Sequence, residues 1–239
     1  MLAKRIEENI SRMPPDVVFT YRDLGYPPID SGNVIRKLNR MVESGVLMKL
    51  SKGRYYKPKT SIFGQLRPRQ EEIVKDLLWR DGRPIGYLTG FSVFNQLGLT
   101  TQISNIIEIG SNTRRNKKQR GMYEIRFVFQ PNDITSRNIP LLQILDAIKF
   151  IKIIPDTSVI RSLMRLRVII SELDDKSRRT LATLAMNYQP MVRAITGALL
   201  DSTGNSSLTE SLYSSLNPIT YYQVGVSSEI PELKKWRVS

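Results

Sequence analysis

The side chains with the clearest chemistry in this sequence lie in a short basic stretch that begins at Ser31. Arg36, Lys37 and Arg40 are spaced so that a helix would present them on one side. Ser31 and Asn33 stand at the start of the same stretch. Cationic side chains bind phosphates, and arginine and asparagine also pair with base edges through two hydrogen bonds each. This set therefore favours recognition of a nucleic acid, with a solvated helix face or a protein-docking scaffold as the alternatives.

Three more cations and one aromatic residue extend this candidate surface. One of the cations precedes the basic stretch and two follow it. Lys52 and Arg54 flank a glycine in a predicted hairpin turn, from which they would reach phosphates. Tyr21 and Arg22 open a short helix ahead of the basic stretch, and we expect them to contact phosphates as well. Together with the helix residues they form the predicted DNA-binding set.

A second concentration of cations lies farther along the chain, between two predicted strands. Its members occupy five of seven consecutive positions: Arg114, Arg115, Lys117, Lys118 and Arg120. We expect none of them to pack internally, because so many like charges cannot be buried together. Such a loop could contact phosphates, RNA or a partner protein, or it could be a solvated hairpin tip.

The composition excludes most hydrolase chemistry. The 239 residues include no cysteine and no histidine, so disulfides, thiolate or imidazole metal sites and histidine-dependent nucleophiles are impossible. The acidic pairs at 71–72 and 174–175 are adjacent in sequence, and neighbours on a helix point about 100° apart. The glycines of residues 86–90 do not match a phosphate-binding loop. We therefore expect neither an enzyme nor a cofactor site.

The net charge points to a polyanionic partner. The formal charge is +14 and the isoelectric point is near 10.1. Residues 1–60 hold 12 basic and 6 acidic residues, 61–130 hold 11 and 6, and 131–239 hold 13 and 10. The N-terminus carries charges where a signal peptide needs an apolar core, and no run of about 18 apolar residues occurs anywhere. We expect a cytoplasmic protein that does not contact a membrane.

The elements that would position the basic stretch follow from the spacing of apolar residues. A helical stripe runs through it, formed by Val34, Ile35, Leu38, Met41 and Val42. Ser31 is the expected N-cap of this helix, and two short strands, 46–50 and 54–57, follow it as a hairpin. A helix, a short strand and a brief helix precede it. This is the order of a winged helix-turn-helix, which we assign to residues 1–60 as a DNA-binding domain.

Residues 61–239 are predicted to form a second domain of α+β class. Ile103–Gly110 and Tyr123–Gln130 are the expected strands, which makes residues 111–121 a basic hairpin loop. The pattern becomes helical over residues 139–200. The predicted fold class is therefore α+β: an N-terminal winged helix-turn-helix, then a mixed α/β region, then a mainly helical one.

Two features of the C-terminal part refine this prediction. The helical region should be interrupted near Gln189–Pro190, because proline disfavours a helical conformation in the residue before it. The last segment is rich in aromatic residues, including Trp236, so we expect it to pack on the body of the protein.

Several stretches together resemble one known family. In chain order they are SKGRYYKPK with SIFG soon after, GYLTGFSVFNQLGLTTQ, MVRAITGALLD and SLNPITYYQVGVSSEIPELKKWRV. They look like the AbiEi-type antitoxins, which are predicted transcriptional regulators of bacterial abortive-infection, or phage-defence, systems. The resemblance spans most of the chain in the right order.

The resemblance implies two tasks. The winged helix would bind repeated half-sites in the promoter of its own operon and act as an autorepressor. The C-terminal domain would be the antitoxin against a nucleotidyltransferase-type toxin encoded alongside, in type IV systems without a stable complex. Two other functions stay open: a protein-interaction module that sequesters a partner toxin, and an RNA-binding or tRNA-protecting protein.

Overall fold

Strands and helices are interspersed as far as Phe129, and only helices follow in the described part of the chain, so the α+β class predicted from the sequence is confirmed. The computed structural model describes residues 2–62, 64–204, 208–225 and 230–239. The chain divides into two units. The first comprises Met1–Asp76 and Gln119–Tyr123, and the second comprises Leu77–Lys118 and Glu124–Ser239.

The first unit combines helices with short strands. Its elements are α1 (Leu2–Arg12), β1 (Val18–Phe19), α2 (Ser31–Glu43), β2 (Met48–Ser51), β3 (Arg54–Tyr56), β4 (Lys59–Ser61), β5 (Gly64–Leu66) and most of α3 (Gln70–Leu78), whose last two residues belong to the second unit. Two 3-10 turns, Tyr21–Leu24 and Pro28–Asp30, lie between β1 and α2. Strands β2 and β3 form an antiparallel hairpin, and β1 pairs with the other edge of β3. A separate hairpin of β4 and β5 follows.

The core of the first unit forms where α1, α2 and the three-stranded sheet meet. The helices bury residues at spacings of three and four, and the sheet adds residues from β1 and β3. Its fully or nearly fully buried members are Ile6, Ile10, Phe19, Val34, Leu38, Met41, Leu47 and Tyr55. Removing each of these side chains from water contributes about 1.5–3 kcal/mol, which holds α2 in place by its apolar stripe.

The start of α2 differs from the prediction. Ser31 was the expected N-cap, but it has helical backbone angles and is the first residue of α2, so the prediction is wrong. An N-cap residue normally has an extended conformation. Here the 3-10 turn Pro28–Asp30 continues directly into the helix, so Asp30 precedes α2 with a φ of −86° and a ψ of −3°. The sequence pattern does not reveal this continuous entry.

The second unit contains a small sheet followed by a helical bundle. Its elements are β6 (Trp79–Arg80), β7 (Arg83–Pro84), β8 (Tyr87–Thr89), α4 (Phe91–Gln96), β9 (Ile106–Ser111), β10 (Lys118–Arg120), β11 (Tyr123–Phe129), α5 (Ile139–Lys149), α6 (Val159–Ser171), α7 (Asp175–Ala185), α8 (Pro190–Asp201), α9 (Glu210–Ser214) and α10 (Pro231–Lys235). The last residues of β10 and the turn after it belong to the first unit.

The pairing of β9 and β11 corrects the predicted hairpin. The two strands are parallel, with Ile125 beside Ile107 and Phe129 beside Ser111, whereas β8 and β9 are antiparallel. Parallel strands start at the same end of a sheet, so the chain must travel back between them. The segment that was expected to be a simple hairpin loop makes this return, and it contains β10.

The helices α5 to α8 enclose the main core of the second unit. α5 is apolar on nearly all sides and packs against α7 and α8. The helical region is interrupted between α7 and α8 at Gln189–Pro190, as predicted, and the proline occupies the first position of α8. Within the described ranges, no helix has both the length and the apolar character needed to cross a membrane.

The C-terminal segment is attached to α8, as its aromatic content predicted. The Trp236 side chain is fully buried, and it packs so closely on Gly197 that an added Cβ would lie 2.1 Å from its ring. Its Nε1 donates a hydrogen bond of 2.9 Å to Oδ2 of Asp201, and Nζ of Lys235 donates one of 2.6 Å to the same oxygen. One buried carboxylate thus holds both α10 and the residue that follows it.

Candidate nucleic-acid interface

The solvent-facing side of α2 carries most of the predicted base-contacting residues. Asn33, Arg36 and Arg40 are exposed and lie opposite the buried Leu38. Nη2 of Arg36 donates a hydrogen bond of 2.7 Å to Oδ1 of Asn33, one turn earlier. This bond is local and exposed, so both side chains stay within reach of a ligand. Ser31, at the first position of the helix, is half-buried.

Lys37 is less available than its neighbours. It lies on the flank of α2 that meets α1, where its ammonium group forms an ion pair with the carboxylate of Glu7. Its side chain is 22% exposed. A phosphate would have to compete with Glu7 for this cation, so Arg36 and Arg40 are the stronger candidates for contact.

Tyr21 and Arg22 lie together in the first 3-10 turn. The guanidinium carbon of Arg22 is 5.8 Å from the centroid of the Tyr21 ring, and its Nε donates a 3.2 Å hydrogen bond to the tyrosine hydroxyl. Asp23 stabilises the turn, because its Oδ2 accepts a 2.7 Å bond from the backbone N of Thr20. Arg22 is exposed, whereas Tyr21 is half-buried and packs on the core.

The turn between β2 and β3 separates two residues that the sequence had grouped. Lys52 is exposed, and the following Gly53 has a φ of +73°, a conformation that favours glycine. Arg54 instead reaches α3, where its Nη2 donates a hydrogen bond of 2.8 Å to Oδ2 of Asp76. The turn therefore offers Lys52 to a ligand, while Arg54 is held by an internal contact.

Arg120 overturns the expectation that all five cations of the second basic stretch face solvent. Its side chain is buried and bidentate to Asp76, with Nη1–Oδ1 and Nη2–Oδ2 distances of 2.5 and 2.7 Å. Its Nη1 also donates to the carbonyl oxygen of Ile73 at 2.7 Å. A run of basic residues in the sequence does not indicate which of them will pair with a distant acid. Here Asp76 is the partner of Arg120.

Asp76 is accordingly a structural carboxylate. Burial raises its pKa, but hydrogen bonds and charge from Arg120, and then from Arg54, outweigh burial and hold the pKa below its usual value. This lowered pKa keeps the Asp76 carboxylate ionised at neutral pH, where it pairs with the two guanidinium groups. Arg54 and Arg120 therefore belong to the framework of the first unit.

The predicted contacts fall into two groups around α2. Arg22, Lys52 and Arg54 line a cleft of about 710 Å³ whose apolar walls include Phe19 and Ile73. Asn33, Arg36, Lys37 and Arg40 line a shallower groove of about 370 Å³ beside α1. The second group contains the helix residues that could read base edges. In the first group, the exposed Arg22 and Lys52 are suited to phosphates, whereas Arg54 is held by Asp76.

Sequence spacing alone missed further cations of the first unit. Residues 44–70 contain seven basic residues and no acidic one, and this lack of acids is the signal that could have found them. Lys49 is exposed on β2 beside the turn, and Lys59, Arg67 and Arg69 are exposed in or next to the β4–β5 hairpin. Apart from Arg54, which is paired with Asp76, this segment of the first unit therefore adds exposed positive charge.

The remaining cations of the second stretch belong to the second unit. Arg114 lies over the ring of Phe129, and Arg115 lies over the ring of Phe127. Lys117 is 3.8 Å from Glu124, a distance at which an exposed pair contributes little. Lys118 is exposed in β10.

The second unit also contains a buried polar network. Asp146 is 1% exposed, and its Oδ2 accepts hydrogen bonds from the hydroxyls of Tyr87 at 2.6 Å and Thr89 at 2.7 Å. Its Oδ1 accepts one from Tyr188 at 2.9 Å. Nε2 of Gln130 donates to both tyrosine hydroxyls, at 2.8 and 2.6 Å. The sequence signal was a single acid within the mainly apolar helix Ile139–Lys149.

The chemistry of this network is structural. Burial raises the pKa of Asp146, although the three hydroxyl donors act against that rise. Burial, and then the charge of Asp146, also raise the pKa of Tyr87 and Tyr188, so both remain protonated donors. Each hydrogen-bonding group has its partner inside the protein, which rigidifies the core without exposing a reactive atom.

Comparison with known proteins places the chain in a family. No curated protein matches it. Among solved structures, the Rv2827c protein from Mycobacterium tuberculosis is similar with a TM-score of 0.63 and 15% sequence identity, covering 98% of this chain and 88% of that one. Such a low identity shows similarity of fold alone. The model described as "Family of unknown function (DUF6088)" matches residues 5–154, more than half of the chain, and the chain therefore belongs to this family.

Proposed function

We propose that this protein is a DNA-binding transcriptional regulator that represses its own operon through a winged helix-turn-helix formed by residues 1–60. The order of α1, β1, the 3-10 turns, α2 and the β2–β3 hairpin supports the assignment. So does the sheet order β1-β3-β2, in which the strand before the helices closes on the hairpin after them. In this proposal α2 is the recognition helix and the β2–β3 turn is the wing.

The observation that carries the proposal is the solvent-facing side of α2. Asn33, Arg36 and Arg40 project from the helix without an internal acidic partner among the described residues. Asparagine and arginine are the residues that pair bidentately with adenine and guanine in the major groove. Long cationic side chains lose rotamer entropy when they are ordered, so their position on one rigid face favours a ligand that binds them together.

Phosphate contacts would come from the cations around the cleft and the wing. Arg22, Lys49 and Lys52 are exposed there, whereas Arg54 is held by Asp76. Such contacts give affinity without sequence preference and make binding depend on salt. A single module of this size covers a modest DNA surface, so we expect repeated half-sites bound by two or more copies.

The test is binding of the purified protein to the DNA immediately upstream of its gene, with a scrambled duplex as competitor, at about 150 mM salt, where non-specific attraction is weakened. We expect sequence-dependent binding that Arg36→Ala and Arg40→Ala each reduce. Arg179→Ala is the matched control, because it removes one exposed helical arginine from the second unit. Equal weak binding to both duplexes, or equal effects of Arg36→Ala and Arg179→Ala, would refute the proposal.

We further propose an antitoxin role, which rests on the resemblance to AbiEi-type antitoxins and stays a prediction. The cognate partner would be a nucleotidyltransferase-type toxin of the same operon in the bacterial cytoplasm, and the protein itself would have no enzymatic activity. Because the proposed DNA contacts lie in the first unit, Arg36→Ala with Arg40→Ala should abolish repression and leave antitoxicity intact.

Growth of cells that express the toxin together with each variant measures antitoxicity, and a promoter-reporter fusion measures repression. Loss of both activities in the double variant would contradict this division of tasks. Stable co-purification of the toxin in a fixed ratio, with no retention of DNA, would favour the alternative in which the protein sequesters a partner.

A further inference from the structure

Two neighbouring arginines of the second unit lie on two aromatic residues of β11. The guanidinium carbon of Arg114 is 4.9 Å from the ring centroid of Phe129, and that of Arg115 is 5.5 Å from the ring centroid of Phe127. Phe127 and Phe129 are two residues apart and therefore lie on the same face of the strand. Phe129 is 42% exposed, so this face reaches solvent at the end of β11.

The segment that carries the arginines is anchored at its start. Nδ2 of Asn112 donates hydrogen bonds of 2.7 Å to the carbonyl oxygens of both Gln130 and Asn132. The side chain of Gln130 belongs to the buried network around Asp146. The arginines and the phenylalanines are thus attached to one rigid base, which lowers the entropy lost when a ligand orders them.

Arg114 and Arg115 place two like charges side by side on this surface. Neither Arg114 nor Arg115 forms an ion pair with any residue that the structure describes. Of the next two cations along the chain, Lys118 is exposed, whereas Lys117 lies 3.8 Å from Glu124. A purely structural role, in which the side chain shields a phenylalanine ring from water, would account for one arginine. Two adjacent arginines on one small surface repel each other, and an anionic ligand removes that repulsion.

We propose that this surface, formed by Arg114, Arg115, Phe127 and Phe129, binds single-stranded nucleic acid. Stacking on aromatic rings and guanidinium planes, together with cationic contacts to phosphates, is the way proteins hold unpaired nucleotides. The faces of the bases are hidden inside a duplex, so duplex DNA would use only the charges. The proposal concerns a second binding activity, and it does not depend on the proposed winged helix.

The experiment uses the full chain and fluorescently labelled 12-nucleotide oligouridine and oligothymidine, with binding followed by anisotropy. We expect both strands to bind, and Arg114→Ala and Arg115→Ala each to weaken binding about tenfold. Arg114→Lys keeps the charge and loses the planar guanidinium, so it should lose most of the affinity while the salt dependence stays unchanged. Preference for one of the two strands identifies RNA or DNA as the ligand.

Arg126→Ala is the matched control, because Arg126 is exposed on the opposite face of β11 and paired with Glu124 at 2.9 Å. It should bind both single strands with the affinity of the wild-type protein. Three results would overturn the proposal: absence of single-strand binding, equal losses in Arg114→Ala and Arg126→Ala, or loss caused instead by Arg36→Ala. An acidic peptide that displaces the single strand from wild type and Arg114→Lys alike would assign the surface to a protein partner.

Discussion

The solvent-facing side of α2 and the buried network around Asp146 use polar side chains in opposite ways. Arg36 and Arg40 project into solvent, and no acidic residue in the described part of the chain pairs with them. Asp146, by contrast, has three hydroxyl donors inside the protein. Both groups sit on regular helices, so secondary structure does not distinguish them. What differs is whether folding already satisfies their hydrogen bonds. Polar groups that are satisfied internally stabilise the fold, and those left open are available for binding.

Asp146→Ala should have the largest effect on stability. It leaves the hydroxyls of Tyr87, Thr89 and Tyr188 buried without an acceptor, which should cost on the order of 4 kcal/mol of unfolding free energy. Chemical denaturation followed by circular dichroism measures the loss. Asp133→Ala, at an exposed acid, is the control and should change stability by less than about 0.5 kcal/mol. Equal stability of the two variants would contradict a structural role for the network.

Asp76→Ala should have the next largest effect, in the first unit. It removes the carboxylate that binds the buried guanidinium of Arg120 and the partly exposed one of Arg54. Because Asp76 itself is about half exposed, water partly replaces it, and we expect a loss of about 2 kcal/mol. Thermal unfolding of Asp76→Ala and Asp76→Asn measures it, and the asparagine variant should recover part of the stability. No loss in either variant would mean that Arg120 is satisfied without Asp76.

Arg36→Ala should separate binding from stability. If Arg36 makes a bidentate contact with a base, its loss should weaken operator binding by roughly 1–3 kcal/mol and relax specificity at one position. The unfolding free energy should stay unchanged, because the bond of Arg36 to Asn33 is exposed. Binding to a panel of single-base operator variants measures specificity. A destabilised protein with unchanged specificity would place Arg36 with Asp146 among the structural residues.

The two buried acids of the second unit should respond differently to pH. Hydrogen bonds from Lys235, Thr209 and Trp236 outweigh burial and lower the pKa of Asp201. Asp201 therefore contributes stability above the unfolded-state pKa of about 3.9, and this contribution disappears as the pH falls through its lower folded-state value. Urea unfolding between pH 2 and pH 6 should show a loss that is reduced in Asp201→Asn.

Burial raises the pKa of Asp146, so its contribution to stability changes with pH in the opposite direction to that of Asp201. Its contribution to stability is largest below the unfolded-state pKa and is lost as the pH rises through the folded-state value. Comparison of the acid limb of unfolding for Asp146→Asn and Asp201→Asn checks this contrast. The same change in pH dependence for both variants would contradict it.

Lys52→Ala should have the smallest effect. Lys52 is exposed at the β2–β3 turn, and we expect it to contact phosphate alone. Its loss should weaken binding to all duplexes alike, by less than about threefold. The slope of log affinity against log salt concentration should become shallower by about one. Titrations at several salt concentrations measure this slope. A loss of specificity would assign Lys52 a base contact instead.

Much of the first unit was predictable from the sequence because local patterns determine it. The apolar stripe of α2 required a helix with one buried side, and the glycine at position 53 indicated the turn after β2. Each of these elements follows from the spacing of residues that lie only a few positions apart in the sequence. The same spacing placed Asn33, Arg36 and Arg40 on one side, and the structure brings them together there.

Long-range partners were decided by the tertiary structure alone. Arg120 looks like any other cation of its basic stretch until Asp76, 44 residues away, binds it. Lys37 and Arg54 are likewise less available to a ligand, because each forms an ion pair with an acid on another element. The parallel pairing of β9 with β11 depends on how the chain returns between them, which a pattern of alternating residues cannot specify.

The sequence by itself therefore determined the secondary-structure class, the apolar cores and the total charge of this protein. Only the tertiary structure decided which charges are balanced internally and which remain open. The physical reason is that hydropathy and helix periodicity are properties of neighbouring residues, whereas the free energy of a charge depends on burial and on every opposite charge within a few ångströms. Those neighbours come from distant parts of the chain.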